Sequence, residues 1–269
     1  MEENSARGGK PPKGFERNEY RVNGVRTVVY SAGDGSPVVY LHGAGTFSGI
    51  DFARAWTGRF RVILPYHPGF GESADEPRMD SMNEYLLHYL ELFQQLGLSR
   101  FHLVGLSMGG WMAAEFAVAH GHLLRKLVLA APAGLLSSEY PLPNLPSITG
   151  DQIFSYLVKD LAVLQPCLPK NGREAAELAA LMGRESQTAG RISGRGPFNP
   201  NLERWLHRIT MPTLLIWPRE DRLLPVGLSG RWMSLLPNAR LELIEDCGHL
   251  VFDESAHARN LVAEFFTSD

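Results

Sequence analysis

Six short apolar runs, separated by stretches of helical periodicity, restrict the fold of this chain more than any other feature. In the first four runs the hydrophobic residues are continuous, as expected for strands that are buried on both faces of a parallel sheet. The runs are PVVYLHG (37–43), FRVILPY (60–66), FHLVG (101–105), RKLVLAA (125–131), PTLLIW (212–217) and ARLELIE (239–245). Upstream, two alternating segments flank Asn23-Gly24, a dipeptide typical of a type I′ hairpin turn, which brings the predicted number of strands to eight.

Helical patterns fill the gaps between these runs. The segment from about 81 to 96 has its apolar residues on one side, with Ser81 and Glu84 spaced as a capping box and Gly97 at the position of a C′ glycine. A second helix, 108–120, directly follows a strand. We therefore predict an α/β fold, a doubly wound and mostly parallel eight-stranded sheet with helices on both faces.

The alternation stops between strand 125–131 and strand 212–217. Prolines and glycines cluster there, followed by helix-like pieces near 151–164 and 173–189. The simplest explanation is a helical insertion into the sheet domain. The predicted division is a flexible N-terminal segment (1–17), an α/β core (18–133 and 209–269) and a helical cap or lid (134–208).

Composition excludes several classes of partner. Lys and Arg number 26 against 29 Asp and Glu, a net charge of −3, so we expect no binding to nucleic acid or to anionic membranes. No apolar run approaches the roughly 20 residues of a membrane span, and the N-terminus has no apolar signal region. With only Cys167 and Cys247, the expected location is the cytoplasm, although one bridge between them stays open. The chain is expected to be a monomer or a homodimer.

The segment FHLVGLSMGGWMAAEF (101–116) contains a candidate nucleophile, Ser107. A serine nucleophile stands on a sharp strand-to-helix turn with no room for a side chain two residues before or after it, which suits Gly105 and Gly109. The helix that follows directs its free N–H groups towards developing negative charge. The alternative interpretation is an ordinary turn with an incidental serine.

A serine hydroxyl needs a base, and an imidazole base needs a carboxylate to orient it. Among nine histidines, His249 lies on a loop after the last strand, whereas His102 lies in a buried strand and is expected to be a satisfied core residue. Glu220 and Asp221 follow strand 212–217, and we favour Asp221 as the acid. Ser107, Asp221 and His249 then follow the Ser, Asp, His order of one of the three known arrangements.

From about residue 20 to 266 the chain resembles enzymes of the α/β-hydrolase fold. The matching motifs are LHGAG (41–45), YHPGFGES (66–73), GLSMGG (105–110), PTLLIWPRED (212–221) and DCGH (246–249). Pro218 stands where many members have glycine. The resemblance implies an oxyanion hole from the backbone N–H groups of Ala44 and Met108, with His42 structural.

The expected activity is that of a serine hydrolase, a carboxylic ester hydrolase that uses an acyl-enzyme on Ser107, with no cofactor. No His, Cys or Asp cluster has the spacing of metal ligands. Family members with a GLSMGG motif include esterases, enol-lactonases and hydrolases of C–C bonds, so these alternatives stay open. A receptor that retains the triad but turns over slowly or not at all is the alternative from another class.

The cap is expected to determine the small-molecule substrate. Its apolar residues suggest a largely apolar acyl pocket: Leu135, Leu136, Tyr140, Leu142, Phe154, Tyr156 and Leu157. Arg184, Arg191 and Arg195 are candidates for binding a substrate carboxylate, and the alternative is that they are solvated surface charges.

Overall fold

An eight-stranded sheet organises the protein. The computed structural model describes residues 14–144, 147–148, 152–194 and 196–268. The strands are β1 (Glu16–Val22), β2 (Val25–Ala32), β3 (Ser36–Leu41), β4 (Phe60–Pro65), β5 (Phe101–Leu106), β6 (Leu124–Ala130), β7 (Thr213–Pro218) and β8 (Ala239–Ile244). Their order in the sheet is β1-β2-β4-β3-β5-β6-β7-β8. Strand β2 pairs antiparallel with β1 and β4, and the remaining pairs are parallel.

The predicted hairpin joins β1 to β2. Asn23 and Gly24 have φ angles of 50° and 82°, the left-handed conformation that a type I′ turn requires at both positions. The first strand begins earlier than the pattern indicates. Glu16 pairs with Ser31, so two residues of the segment predicted to be flexible, 1–17, are part of the sheet. An edge strand tolerates polar side chains because one side of it faces solvent.

Helices cover both faces of the sheet, as predicted. They are α1 (Arg54–Thr57), α2 (Met82–Gln95), α3 (Met108–His120), α4 (Gln152–Leu157), α5 (Gly172–Ser193), α6 (Leu228–Leu235), α7 (Val251–Glu254) and α8 (Ala256–Thr267). Alternate residues of each central strand point into two separate cores. Leu103 and Leu215 pack with α2, α3 and α6, whereas Val104 and Leu214 pack with α1, α7 and α8.

Helix α2 has one of the two end signals that the sequence predicts for it. Gly97 has a φ of 69°, its N–H donates to the carbonyl of Gln94 and that of Leu98 donates to Phe93, which together form a Schellman motif. The capping box was predicted wrongly: the hydroxyl of Ser81 makes no capping hydrogen bond. The buried side of α2 therefore stabilises its first turn without that bond.

The segment between β6 and β7, called the cap below after its predicted role, contains helices α4 and α5 with short 3-10 turns. Residues 145–146, 149–151 and 195 lie outside the described part. Within the part of the chain that the structure covers, no helix is long and apolar enough to cross a membrane.

Candidate active site

Ser107 occupies a strained turn between β5 and α3. Its φ and ψ of 57° and −119° are unusual for a residue with a side chain. Close packing enforces this turn, since a Cβ on Gly105 would lie 2.3 Å from the carbonyl oxygen of Gly109, and one on Gly109 would lie 2.1 Å from that of Leu41. The predicted steric role of both glycines is therefore confirmed.

Hydrogen bonds fix the backbone of Ser107 in this conformation. Its N–H donates to the carbonyl of Ala130 at 3.0 Å, and its carbonyl accepts from the N–H groups of Trp111 and Ala133, each at 3.0 Å. The side chain is half-buried beside Gly43, where an added Cβ would lie 3.7 Å from the serine Oγ. The oxyanion segment, defined here as residues 42–46, thus lies next to the hydroxyl.

Asp221 and His249 come together across 28 residues. Both are buried, and the imidazole Nδ1–H donates to Oδ2 of the carboxylate at 2.7 Å. The other oxygen, Oδ1, accepts from the N–H groups of Leu223 and Leu224 at 2.9 and 2.8 Å. The bonds to Oδ1 hold the carboxylate, and the bond to Oδ2 orients the ring, which leaves Nε2 of His249 as the basic nitrogen.

Glu220, the alternative acid, points elsewhere. Its carboxylate is half-exposed and pairs with the Nζ of Lys159 at 2.6 Å. The same Nζ contacts Oδ1 of Asp246 at 2.6 Å, so one lysine of the cap links the loop of Asp221 to the loop of His249. Sequence reasoning did not identify Lys159.

The histidine loop also contacts the cap through its backbone. Glu254 accepts from the N–H of Gly248 at 2.6 Å and from those of Lys159 and Asp160 at 2.9 Å each. The N–H of Leu250 donates to the carbonyl of Leu157 at 2.8 Å. Leu250 is therefore bound to the cap directly, and Gly248 is linked to it through the carboxylate of Glu254.

Cys167 and Cys247 are both buried, and no disulfide joins them. Cys247 packs beneath the histidine loop, where its Sγ contacts the carbonyl of Gly248, and burial raises the pKa of its thiol. A thiol of this kind stays protonated and is a packing residue.

His42 and His67 support the start of the oxyanion segment. The N–H of His67 donates to Nε2 of His42 at 3.0 Å, and Nε2–H of His67 donates to the carbonyl of His42 at 2.8 Å. The rings stack with centroids 3.6 Å apart, and the hydroxyl of Tyr89 contacts Nδ1 of His67. Burial lowers the pKa of His42 to about 4 and holds that of His67 well below its ordinary value, so both are neutral at pH 7. Their role is structural, as expected for His42.

Ala44 and Gly45 follow on the exposed part of the oxyanion segment. Met108 is the first residue of α3, where a backbone N–H has no acceptor within its own helix. Of the two amides predicted to form the oxyanion hole, that of Ala44 thus lies on an exposed loop and that of Met108 at the start of a helix.

Helix α5 of the cap is bound directly to the core loops. Glu185 accepts from the N–H of Thr46 at 3.0 Å, from its hydroxyl, and from the N–H of Gly71 at 2.8 Å. Arg184 donates to the carbonyl of Gly71 at 2.8 Å, and Arg191 pairs with Asp75. Arg195, the third candidate for a substrate carboxylate, lies outside the described residues.

The other predicted residues of the cap are not equivalent. Phe154 is buried with its ring 5.4 Å from that of Phe47, next to the oxyanion segment. Leu136 is 47% exposed, and Tyr140 packs on Gly227. Only part of the proposed apolar set is therefore enclosed.

His102 is buried in β5, away from this site, and stacks on Phe266 with ring centroids 4.3 Å apart. It is not the satisfied histidine that was predicted, since its Nδ1 has no hydrogen-bond partner among the described residues. Stacking between aromatic rings places it there, and burial lowers its pKa to about 4.

Comparison with known proteins identifies the family of this chain and some of its relatives. The model of the alpha/beta hydrolase family matches residues 38–264. A 2-hydroxy-6-oxononadienedioate/2-hydroxy-6-oxononatrienedioate hydrolase of Burkholderia vietnamiensis is 30% identical over 250 residues, covering 85% of this chain and 86% of the relative.

Solved structures share the fold at lower identity. A membrane phospholipase A described as a bacterial virulence factor has a TM-score of 0.82 at 23% identity, over 94% of this chain and 86% of that one. The 2-hydroxy-6-oxo-6-phenylhexa-2,4-dienoate hydrolase of Rhodococcus sp. strain RHA1 has a TM-score of 0.77 at 20% identity, over 94% and 99%. At these identities the similarity establishes the architecture alone.

Proposed function

Because the chain belongs to the alpha/beta hydrolase family, we propose that it is a serine hydrolase that cleaves a carboxylic ester or lactone of a small, largely apolar substrate. The observation that supports this most directly is the buried hydrogen bond of 2.7 Å between His249 and Asp221. It orients the imidazole, and Ser107 supplies a hydroxyl on a turn of the kind that nucleophiles use.

In the first half of the reaction, Nε2 of His249 takes the proton of Ser107 as its Oγ attacks the acyl carbon. Asp221 stabilises the imidazolium that forms. The N–H groups of Ala44 and Met108 stabilise the oxyanion, and each such donor contributes about 10²–10³ in rate. The imidazolium then protonates the leaving oxygen, and the alcohol departs from the acyl-enzyme.

In the second half, water attacks the acyl carbon while His249 takes its proton. The tetrahedral intermediate collapses, Ser107 is reprotonated by the imidazolium, and the carboxylic acid leaves. The free enzyme is regenerated with every proton returned.

Labelling with a fluorophosphonate, followed by intact mass spectrometry, tests the nucleophile. We expect one adduct on the wild-type chain and none on Ser107→Ala. An unlabelled wild-type chain, or an equally labelled Ser107→Ala variant, would contradict the proposal. A labelled chain that hydrolyses no substrate would favour the alternative of a slow small-molecule receptor.

Turnover of p-nitrophenyl acetate tests the base. His249→Ala is expected to lose at least about 10³ in kcat/KM, a loss in the range seen on removing triad members. His102→Phe is the matched control, because His102 is buried in the same sheet but contacts Phe266 and not Asp221. If His102→Phe lost activity and His249→Ala retained it, the assignment of the base would be wrong.

Cleavage of a C–C bond in a 2-hydroxy-6-oxo-dienoate is the second candidate, since the Burkholderia vietnamiensis relative has that activity by name. Such substrates are anions and need a cationic partner. Arg184 and Arg191, the described candidates, bind Gly71 and Asp75 of the core. We therefore place ester or lactone hydrolysis first.

A substrate panel separates the two chemistries. Short and long esters, lactones, an enol lactone and a vinylogous 1,5-diketone are compared by kcat/KM with one enzyme preparation. A higher value for the anionic diketone than for any ester would overturn the preference for esters and leave Ser107 chemistry in place.

A further inference from the structure

Glu185 is a buried carboxylate that the proposed mechanism does not use. It lies on helix α5 of the cap and is only 1% exposed. In the part of the chain described by the structure, no lysine or arginine forms an ion pair with it. Burial raises its pKa, and hydrogen bonds from Thr46 and Gly71 oppose that effect.

A buried carboxylate at this position is unfavourable for folding. Removing a charge from water is unfavourable, and here hydrogen bonds from neutral donors and the positive charge of nearby Arg184 oppose that effect. An apolar side chain at position 185 would pack between the cap and the core without that cost. The presence of a carboxylate at position 185 is therefore explained better by the loops that it binds than by a contribution to stability.

Its principal donors belong to Thr46, at the end of the oxyanion segment. The start of that segment is fixed separately, because the carbonyl and Nε2 of His42 are both bound by His67. Ala44 and Gly45 lie between these anchors and are exposed. Glu185 binds both the N–H and the hydroxyl of Thr46, so it fixes the second end of the segment.

The cap helix is itself fixed relative to the core at the same point. Gly71 donates its N–H to Glu185 and accepts from Arg184 at its carbonyl, each at 2.8 Å. Consecutive residues of α5 therefore bind the same residue in the turn after β4, which leaves the carboxylate little freedom to move away from Thr46.

We propose that Glu185 is a positioning residue for the oxyanion hole. Through its bonds to Thr46, Glu185 holds the backbone N–H of Ala44 in the direction of the developing oxyanion. This inference rests on the proposed acyl transfer at Ser107. Because an oxyanion exists only in the tetrahedral state, the loss of this anchor lowers kcat and leaves KM nearly unchanged.

Two variants remove the anchor by different means. Glu185→Gln keeps the shape but replaces one acceptor oxygen by an NH₂ group, which faces N–H donors. Thr46→Val keeps the shape of the other partner and removes only its hydroxyl donor. Glu177→Gln is the matched control, because Glu177 lies on the same helix, is exposed and pairs with Arg173.

The measurements are kcat and KM for p-nitrophenyl acetate, binding of a trifluoromethyl ketone by calorimetry, and the thermal midpoint. The ketone forms a tetrahedral adduct with serine and so reports on the oxyanion hole without turnover. We expect Glu185→Gln to lower kcat by about 10-fold or more and to weaken binding of the ketone by the same factor. Its KM is expected to stay within about 2-fold of the wild-type value. Thr46→Val is expected to show a smaller loss of the same kind, and Glu177→Gln none.

A folded Glu185→Gln variant with unchanged kcat overturns the inference, and so does a loss of kcat without a matching loss of ketone affinity. If Glu185→Gln does not fold, Thr46→Val decides: an unchanged kcat overturns the inference, and a reduced kcat with weakened ketone binding supports it. If the wild-type chain neither hydrolyses esters nor binds the ketone, the proposed function fails first, which distinguishes the two failures.

Discussion

The backbone of Gly248 lies directly against that of Val158, so that a Cβ at position 248 would be 2.7 Å from the Val158 carbonyl carbon. Gly248→Ala must therefore displace either the cap segment or the loop of His249. We expect kcat/KM to fall by about 10²-fold, since a displacement of about 1 Å near a reacting group has that effect. Steady-state kinetics with p-nitrophenyl acetate measures it.

Gly230→Ala is the control for this change. Gly230 lies on α6, and nothing would be within 4 Å of a Cβ there. The variant is expected to retain full activity and to gain roughly 0.5–1 kcal/mol in unfolding free energy from helix propensity. Full activity in Gly248→Ala would show that the packing against Val158 has no influence on catalysis.

Lys159 is expected to influence activity more than stability. Its Nζ contacts Glu220 and Asp246, one residue before Asp221 and three before His249. Lys159→Met should lower kcat several-fold with little change in the thermal midpoint, because exposed ion pairs contribute little to folding. High salt should reduce the difference between the variant and the wild type. Lys170→Met, at an exposed position of the cap, is the control, and equal losses in the two variants would contradict this role.

Arg191 is expected to anchor the cap, because it pairs with Asp75 and contacts the carbonyl of Met79. Arg191→Ala should therefore raise KM by the same factor for a neutral ester and for an anionic substrate of similar size. Asp75→Ala should have a similar effect. A loss confined to the anionic substrate would instead identify Arg191 as a ligand for its carboxylate.

His102 is expected to make the fold sensitive to acid. Burial lowers its pKa in the folded state to about 4, with Arg125 and Lys126 acting in the same direction. Between that value and about 6.5, the ordinary pKa of an unfolded histidine, the unfolded chain binds more protons, so unfolding free energy falls as pH is lowered through this window.

His102→Phe keeps the ring that stacks on Phe266 and removes this proton. Urea unfolding between pH 4 and pH 7 should show a pH dependence that is shallower than in the wild type by up to about 1.4 kcal/mol per pH unit. Above pH 7 the pH dependence of unfolding free energy should be nearly the same in the two proteins. Parallel curves across the whole range would show that His102 titrates normally.

The fold was largely predictable, because its decisive signals are local and steric. Asn23-Gly24 requires left-handed backbone, and Gly105 and Gly109 are the residues that fit where a carbonyl oxygen lies within 2.3 Å of a Cβ position. Continuous apolar runs indicated the parallel strands. Ser81 was misleading, because its spacing to Glu84 suits a capping box although its hydroxyl makes no capping hydrogen bond.

The residues that support the candidate site were not predicted. Glu185 lies 139 positions from Thr46, and no local pattern connects them. One signal was present: Leu178, Glu185 and Ile192 are spaced by seven residues, which places a carboxylate on the buried side of α5. A charged residue on the buried side of a helix requires polar partners, but only the tertiary structure shows which residues they are.

Ser107 has a consequence for the stability of the whole chain. A residue with a side chain at φ 57° and ψ −119° costs about 1–3 kcal/mol in backbone strain. Ser107→Ala and Ser107→Gly both remove the hydroxyl, but only glycine relieves the strain, so Ser107→Gly should unfold at the higher temperature in a calorimetric scan. Equal midpoints would mean that the turn is relaxed. The substitution that relieves the strain also removes the candidate nucleophile, so stability and reactivity are opposed at this position.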